Sequence, residues 1–264
     1  MNRIILRILY DGTMFRGFQR QPHGNTVENL LEQVLSENGC IDNLRSARYA
    51  ASGRTDKGVS AFAQTIVLDS KCSVNKTINI INELEPKIYA WAYRIDHCGE
   101  FHPRYWALWR EYTYLLSRSN SIINNDKGQE NLEHRIKAII GCKDYSFLGL
   151  PSDTNPYRCI FRISVKVLGN YVVYHIIGES FARQMVRRLV YFLEKGETSK
   201  SLGRISLMPP ENLLLFNVRY PFSFHLCVDK KELLNVIELL AKRVAAFVPL
   251  YLYLSSDEMF YEFF

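Results

Sequence analysis

The chain has 264 residues, 47% of them hydrophobic and 13% aromatic, enough to bury a sizeable core as one large domain or two ordinary ones. Charged residues are 23% of the total and spread along the sequence, which excludes a largely disordered chain, and no stretch approaches the roughly 20 apolar residues of a membrane helix. A net charge of +6 suits a polyanionic partner without naming one, and the opening Met1–Ile8 is too short and too charged for a signal peptide.

Cys40, Cys72, Cys98, Cys142, Cys159 and Cys227 are dispersed and form no C-x-x-C pair. They are expected to be mostly reduced, partly buried thiols of a cytoplasmic protein, not a zinc site or a disulfide scaffold. The histidines lack an H-x-x-x-H spacing, so no metal is expected. Arginines gather at Arg16/Arg20, Arg45/Arg48/Arg54, Arg104/Arg110/Arg118 and Arg183/Arg187/Arg188, several beside aromatics such as Phe15, Phe18, Tyr105, Trp106, Trp109 and Phe181. Guanidinium next to a flat ring suits phosphates and unstacked bases, although the same pairing is common on any surface.

In chain order, Ile4–Leu9 reads as a strand ended by a turn at Tyr10-Asp11-Gly12. A helix follows from an Asn25/Glu28 capping box, with Val27, Leu30, Leu31, Val34 and Leu35 on one face and Asn38-Gly39 as its stop. Ala47–Ser52 and Gln64–Leu68 are strands bracketing a loop over Gly53–Ala61. Thr77–Leu84 is a helix halted by Pro86, and Ile88–Arg94 is a strand, completing a βαββαβ order. Further on, the pattern gives a strand at Arg110–Leu116, a polar loop over Ser119–Glu130 and a helix at Leu132–Ile140. A hairpin of Ile160–Leu168 and Tyr171–Ile177 turns at Gly169-Asn170, and an amphipathic helix runs from Phe181 to Lys195. Leu213–Val218 is a strand, and Asp229 with Glu232 caps a last helix. The expectation is an α+β fold of two related halves, 1–100 and 101–264. Each is an antiparallel-rich sheet with helices on one face, ferredoxin- or RRM-like, and the halves meet at a central active-site cleft.

Chemistry concentrates in Gly53-Arg54-Thr55-Asp56-Lys57-Gly58. Two glycines allow a sharp turn and close approach, and Arg54 and Lys57 on either side of Asp56 favour its charged form. Taken alone, an Asp-Lys-Gly turn is most often just a solvated loop.

Other segments make it specific. Tyr10-Asp11-Gly12-Thr13-Met14-Phe15-Arg16-Gly17-Phe18-Gln19-Arg20-Gln21 is similar to Y-D-G…Y-x-G-W-Q-x-Q, and Gly53–Ala61 to G-R-T-D-x-G-V-H-A. Phe101-His102-Pro103-Arg104 with Arg110-Glu111-Tyr112-Thr113-Tyr114 is similar to F-x-x-R…R-x-Y-x-Y. Ser180–Arg187 is similar to A-F-x-x-x-M-V-R, and Leu213–Val218 to G-L-Y-L-x-x-V. In this order the five segments resemble the TruA-type tRNA pseudouridine synthases, in an archaeal-like form. Ser60 in place of His, Phe18 in place of Trp, Asn212 before Leu213, and Arg183-Gln184 depart from the usual pattern.

The resemblance implies an isomerase that turns uridine into pseudouridine in tRNA, in the anticodon stem-loop, without cofactor or metal because the product is an isomer. It implies Asp56 as nucleophile and Arg187 as its ion-pair partner, lowering the Asp56 pKa. It further implies Tyr112 stacked on the uracil, Arg54 on the RNA, Leu213 on the apolar wall of the pocket, and a homodimer in the cytoplasm. Whether Asp56 attacks C1′ or C6, or assists a glycal route, the sequence leaves open. Two other classes compete. A non-catalytic RNA-binding protein on the same scaffold gives Asp56 no purpose, and a metal-dependent nuclease needs converging carboxylates where only Asp69 is near.

Overall fold

A computed structural model describes residues 2–22, 24–148, 150, 155–197 and 206–255. The first elements are β1 (Asn2–Tyr10), α1 (Val27–Glu37), β2 (Ala50–Ala51), β3 (Ser60–Ser70), α2 (Val74–Asn82) and β4 (Ile88–Ile95), in the expected βαββαβ order. They are followed by β5 (Trp109–Ser117), α3 (Asp126–Ile139), β6 (Gly141–Asp144), β7 (Tyr157–Leu168), β8 (Tyr171–Gly178) and α4 (Met185–Lys195). The chain continues through β9 (Leu213–Arg219), β10 (His225–Leu226), α5 (Lys230–Ala241) and α6 (Val248–Ser255). The class is α+β, a large and mostly antiparallel sheet with helices packed on it.

All ten strands form one sheet in the order β10-β4-β1-β3-β9-β5-β8-β7-β6, with β2 beside β3. The single parallel junction among them is β3 with β9, where Ser60 pairs with Leu214 and Ala61 with Leu215. On its other side β9 runs antiparallel to β5, setting Tyr112 against Leu215 and Tyr114 against Leu213. The starts of β3 and β9 and the middle of β5 therefore meet at the centre of the sheet.

Two apolar clusters flank that centre. One joins β1, β3 and β4 to Val27, Leu31 and Leu35 of α1, Ile78 and Ile81 of α2, and Leu233, Ile237 and Leu240 of α5. The other packs Tyr114, Ile163, Val172, Tyr174 and Ile176 against Leu132 and Ile139 of α3 and Met185, Leu189 and Leu193 of α4. Burying each such α4 side chain contributes about 1.5–3 kcal/mol relative to exposure. β1 is buried from Ile4 to Tyr10 rather than on alternate residues, because it lies inside the sheet with both faces covered. Arg7 is drawn in with it, donating to Asn217 Oδ1 at 3.0 Å and to the Val218 carbonyl at 2.9 Å on β9.

The structure corrects several local expectations. Thr26, not Asn25, caps α1, its hydroxyl accepting from Asn29 N, while Asn25 donates to the Met14 carbonyl. α3 starts at Asp126, inside the segment expected as a loop. Asn125 caps it, and Gly128 packs so tightly on the preceding turn that a Cβ there would lie 1.8 Å from the Ile122 oxygen. α4 starts at Met185, four residues after Phe181. The short strands β6 and β10 and the helix α6 carry no periodic signal long enough to read from sequence.

The cysteine expectation is corrected too. Cys40 is bonded to Cys72 and Cys142 to Cys159, leaving Cys98 and Cys227 free. Separations of 32 and 17 residues conceal this proximity; the second pair are register partners on β6 and β7.

Candidate active site

The loop between β2 and β3 carries Asp56, and the opening segment of the chain builds its cradle. The Tyr10 hydroxyl shares a buried 2.8 Å hydrogen bond with Thr55 Oγ1. Phe18 N donates to the Thr55 carbonyl at 3.2 Å, and Gly12 N to Ser60 Oγ at 3.0 Å. Gly12 is a necessity of close approach, since a Cβ there would lie 2.0 Å from the Val59 oxygen. The loop closes on itself through Val59 N donating to the Asp56 carbonyl at 3.1 Å, with Gly58 at φ +84°. Gln64 Nε2 fastens the other end by donating to the Gly53 carbonyl at 2.9 Å. Ser60, which departs from the usual histidine, is thus a buried anchor of this cradle.

Phe15 and Phe18, grouped in the sequence with arginines as a surface for bases, are 3% and 1% exposed. They belong to the core around Tyr10, with ring centroids 6.5 and 5.8 Å from it. Of the aromatics grouped with arginines in the sequence, Tyr105 and Trp106 are the exposed ones, at 75% and 45%.

Two arginines reach the Asp56 carboxylate. Arg187 Nη1 lies 3.9 Å from Oδ2, and Arg183 Nε lies 3.8 Å from Oδ1. Both are ion-pair distances beyond hydrogen-bond range. Arg187 is largely buried and held by its Nε, which donates to the Met208 carbonyl. The flanking Arg54 and Lys57 are exposed, and the cations acting on Asp56 come from the first turn of α4 and the turn before it, not from its own loop. Burial pushes the Asp56 carboxyl above its ordinary value, and Arg187 and then Arg183 pull it down without cancelling the rise. That reverses the sign expected from the ion pair alone, because desolvation outweighs two cations that do not hydrogen-bond to the carboxylate.

All five residues singled out in the sequence line one cavity of about 850 Å³. Asp56 and Arg54 come from the loop, Tyr112 from β5, Arg187 from α4 and Leu213 from the start of β9. Tyr112 meets Phe181 edge-on, with centroids 5.2 Å apart, presenting an aromatic wall. Burial pushes the Tyr112 hydroxyl up to about 12; Arg110 pulls it down and Asp56 adds to the rise. It is therefore neutral at ordinary pH. Tyr114 shares the strand face but not the cavity, and its hydroxyl donates to the Pro209 carbonyl at 3.2 Å. Arg16, Arg54, Lys57, Arg104, Arg183 and Arg187 line the cavity against two carboxylates, Glu28 and Asp56. Such a surplus of positive charge focuses a polyanion onto the site.

Sequence reasoning missed three contributors. Arg110 donates to the carbonyls of Ser52 at 3.1 Å, Arg104 at 3.0 Å and Glu179 at 2.7 Å, joining segments from distant parts of the chain, of which Arg104 lines the cavity. Tyr10 stands in the opening segment, but only the fold aims it at Thr55. Arg183 was visible in an arginine cluster, four residues before Arg187, a spacing that would have put both on one helix face had the helix begun there.

The arrangement offers a recessed carboxylate, a neutral tyrosine beside it, an apolar wall and a basic rim. Comparisons with known proteins identify its family. The family profile described as tRNA pseudouridine synthase matches residues 7–105, which include the cradle and the Asp56 loop. Relatives named tRNA pseudouridine synthase A include one from Thermococcus sibiricus, 35% identical over 83% of this chain and 85% of its own length. Another, from Methanothermobacter thermautotrophicus, is 32% identical over 91% of this chain and 89% of its own. Among solved structures, a Cbf5-Nop10-Gar1 complex is similar at 13% identity and a TM-score of 0.40, covering 80% of this chain and 48% of that one, a likeness that decides nothing about the site. At more than 30% identity along most of both sequences, the chain belongs to the tRNA pseudouridine synthase family.

Proposed function

We propose that this protein isomerises uridine to pseudouridine in tRNA, with Asp56 as the nucleophile. The observation that carries this reading is the single cavity in which Asp56, Tyr112, Arg187, Arg54 and Leu213 converge. The reaction breaks the bond from C1′ to N1 and forms one from C1′ to C5, with a proton leaving C5 and another gained at N1. No net oxidation occurs. The target base has to leave its stack, which costs a few kcal/mol, and a ring such as Tyr112 returns about 1–3 kcal/mol by stacking.

In this reading Arg54, exposed at the rim, contacts the RNA beside the extruded nucleotide. Leu213 and Phe181 form the apolar side of the uracil pocket, and Arg187 keeps a positive charge beside Asp56. The first half, residues 1–100, supplies the nucleophile, and the second, 101–264, the stacking tyrosine and the pairing arginine. The carboxylate acts covalently, dividing one difficult step into two easier ones.

The finer proposal is a uridine in the anticodon stem-loop, modified by a homodimer in the cytoplasm. The dimer would use the sheet face with the second groove, of about 700 Å³, beside which Leu168 and Leu252 stay exposed. Sedimentation of the purified protein measures that.

The deciding experiment maps pseudouridine in tRNA treated with the wild-type protein and with Asp56→Ala. New pseudouridine with the former and none with the latter is the expected result. Unchanged pseudouridine at every position with the wild type would sink the reading, and binding of tRNA without conversion would favour a non-catalytic RNA-binding protein.

A further inference from the structure

The two arginines on Asp56 are not equivalent. Arg187 is 10% exposed, sits in the first turn of α4 and is tied to the Met208 carbonyl. Arg183 is 74% exposed, and its contact with Asp56 Oδ1 is its one ion pair among the described residues. One is fixed in place and the other is free to swing.

The backbone explains why Arg183 is displayed there. Met185 N donates to the Ala182 carbonyl at 3.0 Å, so residues 182–185 make a tight turn. Gln184, its third residue, has φ +62° and ψ 3°, the left-handed region that only glycine and a few polar residues enter at little cost. Such strain persists where surrounding contacts enforce it. Here Arg188 N donates to the Gln184 carbonyl at 3.1 Å and Arg188 Nη2 to Gln184 Oε1 at 3.2 Å. Without this kink, the residues before Met185 would continue the helix, and Arg183 would lie one helical turn before Arg187. With it, Arg183 projects from the corner of the turn over the mouth of the cavity.

Resting on the reading of Asp56 as nucleophile, we propose that Arg183 is a phosphate-binding residue that exchanges partners when RNA arrives. Its guanidinium leaves Asp56 Oδ1 for the phosphate next to the extruded uridine, and that oxygen becomes free to react. An exposed ion pair at 3.8 Å is a weak contact, whereas a guanidinium grips a phosphate through two parallel hydrogen bonds. The exchange is therefore downhill for Arg183. Arg187, held by Met208, stays beside the carboxylate throughout and prevents it from being left as an isolated buried charge.

The test compares the wild type with Arg183→Ala and Arg183→Lys, measuring pseudouridine formation in tRNA and tRNA affinity across a salt series. For Arg183→Ala, KM should rise about five- to tenfold and the slope of log affinity against log salt should flatten by about 0.7–0.9, the loss of one phosphate contact. The rise in KM should exceed any fall in kcat, and its Tm should not change, because an exposed side chain is removed. Arg183→Lys should recover most of the affinity and the slope, since an ammonium still pairs with a phosphate as a point charge. A fall in kcat with KM and slope unchanged would overturn the proposal and leave Arg183 as a counter-ion of Asp56 alone. Wild-type behaviour of Arg183→Ala in every measurement would overturn it as well. Absence of pseudouridine with the wild type would defeat the parent reading instead, and the salt slopes would still report the phosphate contact.

Discussion

Tyr10 Oη and Thr55 Oγ1 lie 2.8 Å apart inside the core, one residue from the carboxylate of Asp56. Tyr10 ends β1, a strand buried on both faces, so this bond ties the reactive loop to the core of the molecule. Tyr10→Phe keeps the ring and removes the bond, leaving the Thr55 hydroxyl short of a partner at a cost of about 1–3 kcal/mol. Displacing a reacting group by about 1 Å can slow a reaction by about 100-fold. We expect kcat to fall by between about tenfold and 100-fold, with tRNA affinity nearly intact. A lower Tm with unchanged kcat would reduce the bond to a purely structural one.

Arg187→Ala should slow turnover more than it weakens RNA binding. The Asp56 carboxyl already lies above its ordinary value through burial, and Arg187 is the larger of the two influences pulling it down. Removing that positive charge makes the charged form less favourable, so the pKa rises further. The acidic limb of the kcat/KM profile should accordingly move to higher pH, a shift that steady-state kinetics over a pH series would read directly. Equal losses in turnover and affinity, with no shift of the limb, would assign Arg187 to a phosphate instead.

Asp56→Asn should abolish turnover without destabilising the protein. A carboxyl whose pKa is raised on folding binds its proton more tightly in the folded state than in the unfolded one. Stability is then lost as pH rises from the ordinary carboxylate value through the folded one, and the loss is complete above it. Asparagine carries no such penalty. Its Tm at neutral pH should equal or exceed that of the wild type, and the difference should shrink as pH falls through the ordinary carboxylate range. A clearly lower Tm for Asp56→Asn at neutral pH would contradict the sign.

The Cys40–Cys72 bond closes a loop across the end of β3, with a separation of 32 residues. A loop of that length limits the unfolded chain enough to contribute about 3–4 kcal/mol on the chain-entropy account. Cys40→Ser should lower stability by an amount of that order in urea titrations of oxidised protein, and a reductant should bring the wild type towards the variant. Disulfides are rare in the cytoplasm outside hyperthermophiles, so thiol counting on freshly prepared protein adds a direct check. Equal stability of the two proteins with and without reductant would show the bond to be absent in solution.

Much of the fold is legible in the residue order because its signals are local. The apolar face of Val27, Leu31 and Leu35 marks α1, Asp229 with Glu232 starts α5, and Gly169 turns the β7–β8 hairpin. Boundaries failed where tertiary contacts overrode composition. The polar start of α3 is a helix because Gly128 lets it seat against Ile122, and α4 begins late because Gln184 is held in a left-handed kink.

The candidate site divides along the same line. From the sequence alone came the identity of its members, since Asp56, Tyr112, Arg187, Arg54 and Leu213 each stand in a recognisable segment, and residue type by itself states what chemistry is available. Their relations were decided by the parallel junction of β3 with β9 and the register of β5, which bring residues up to 159 positions apart, Arg54 and Leu213, to one cavity. So were the support of Tyr10 beneath Thr55, the burial of Phe15 and Phe18, the disulfides, and the second arginine on Asp56. Even the sign of the Asp56 shift needed the folded chain, because desolvation depends on what surrounds a charge and not on which residues flank it in sequence.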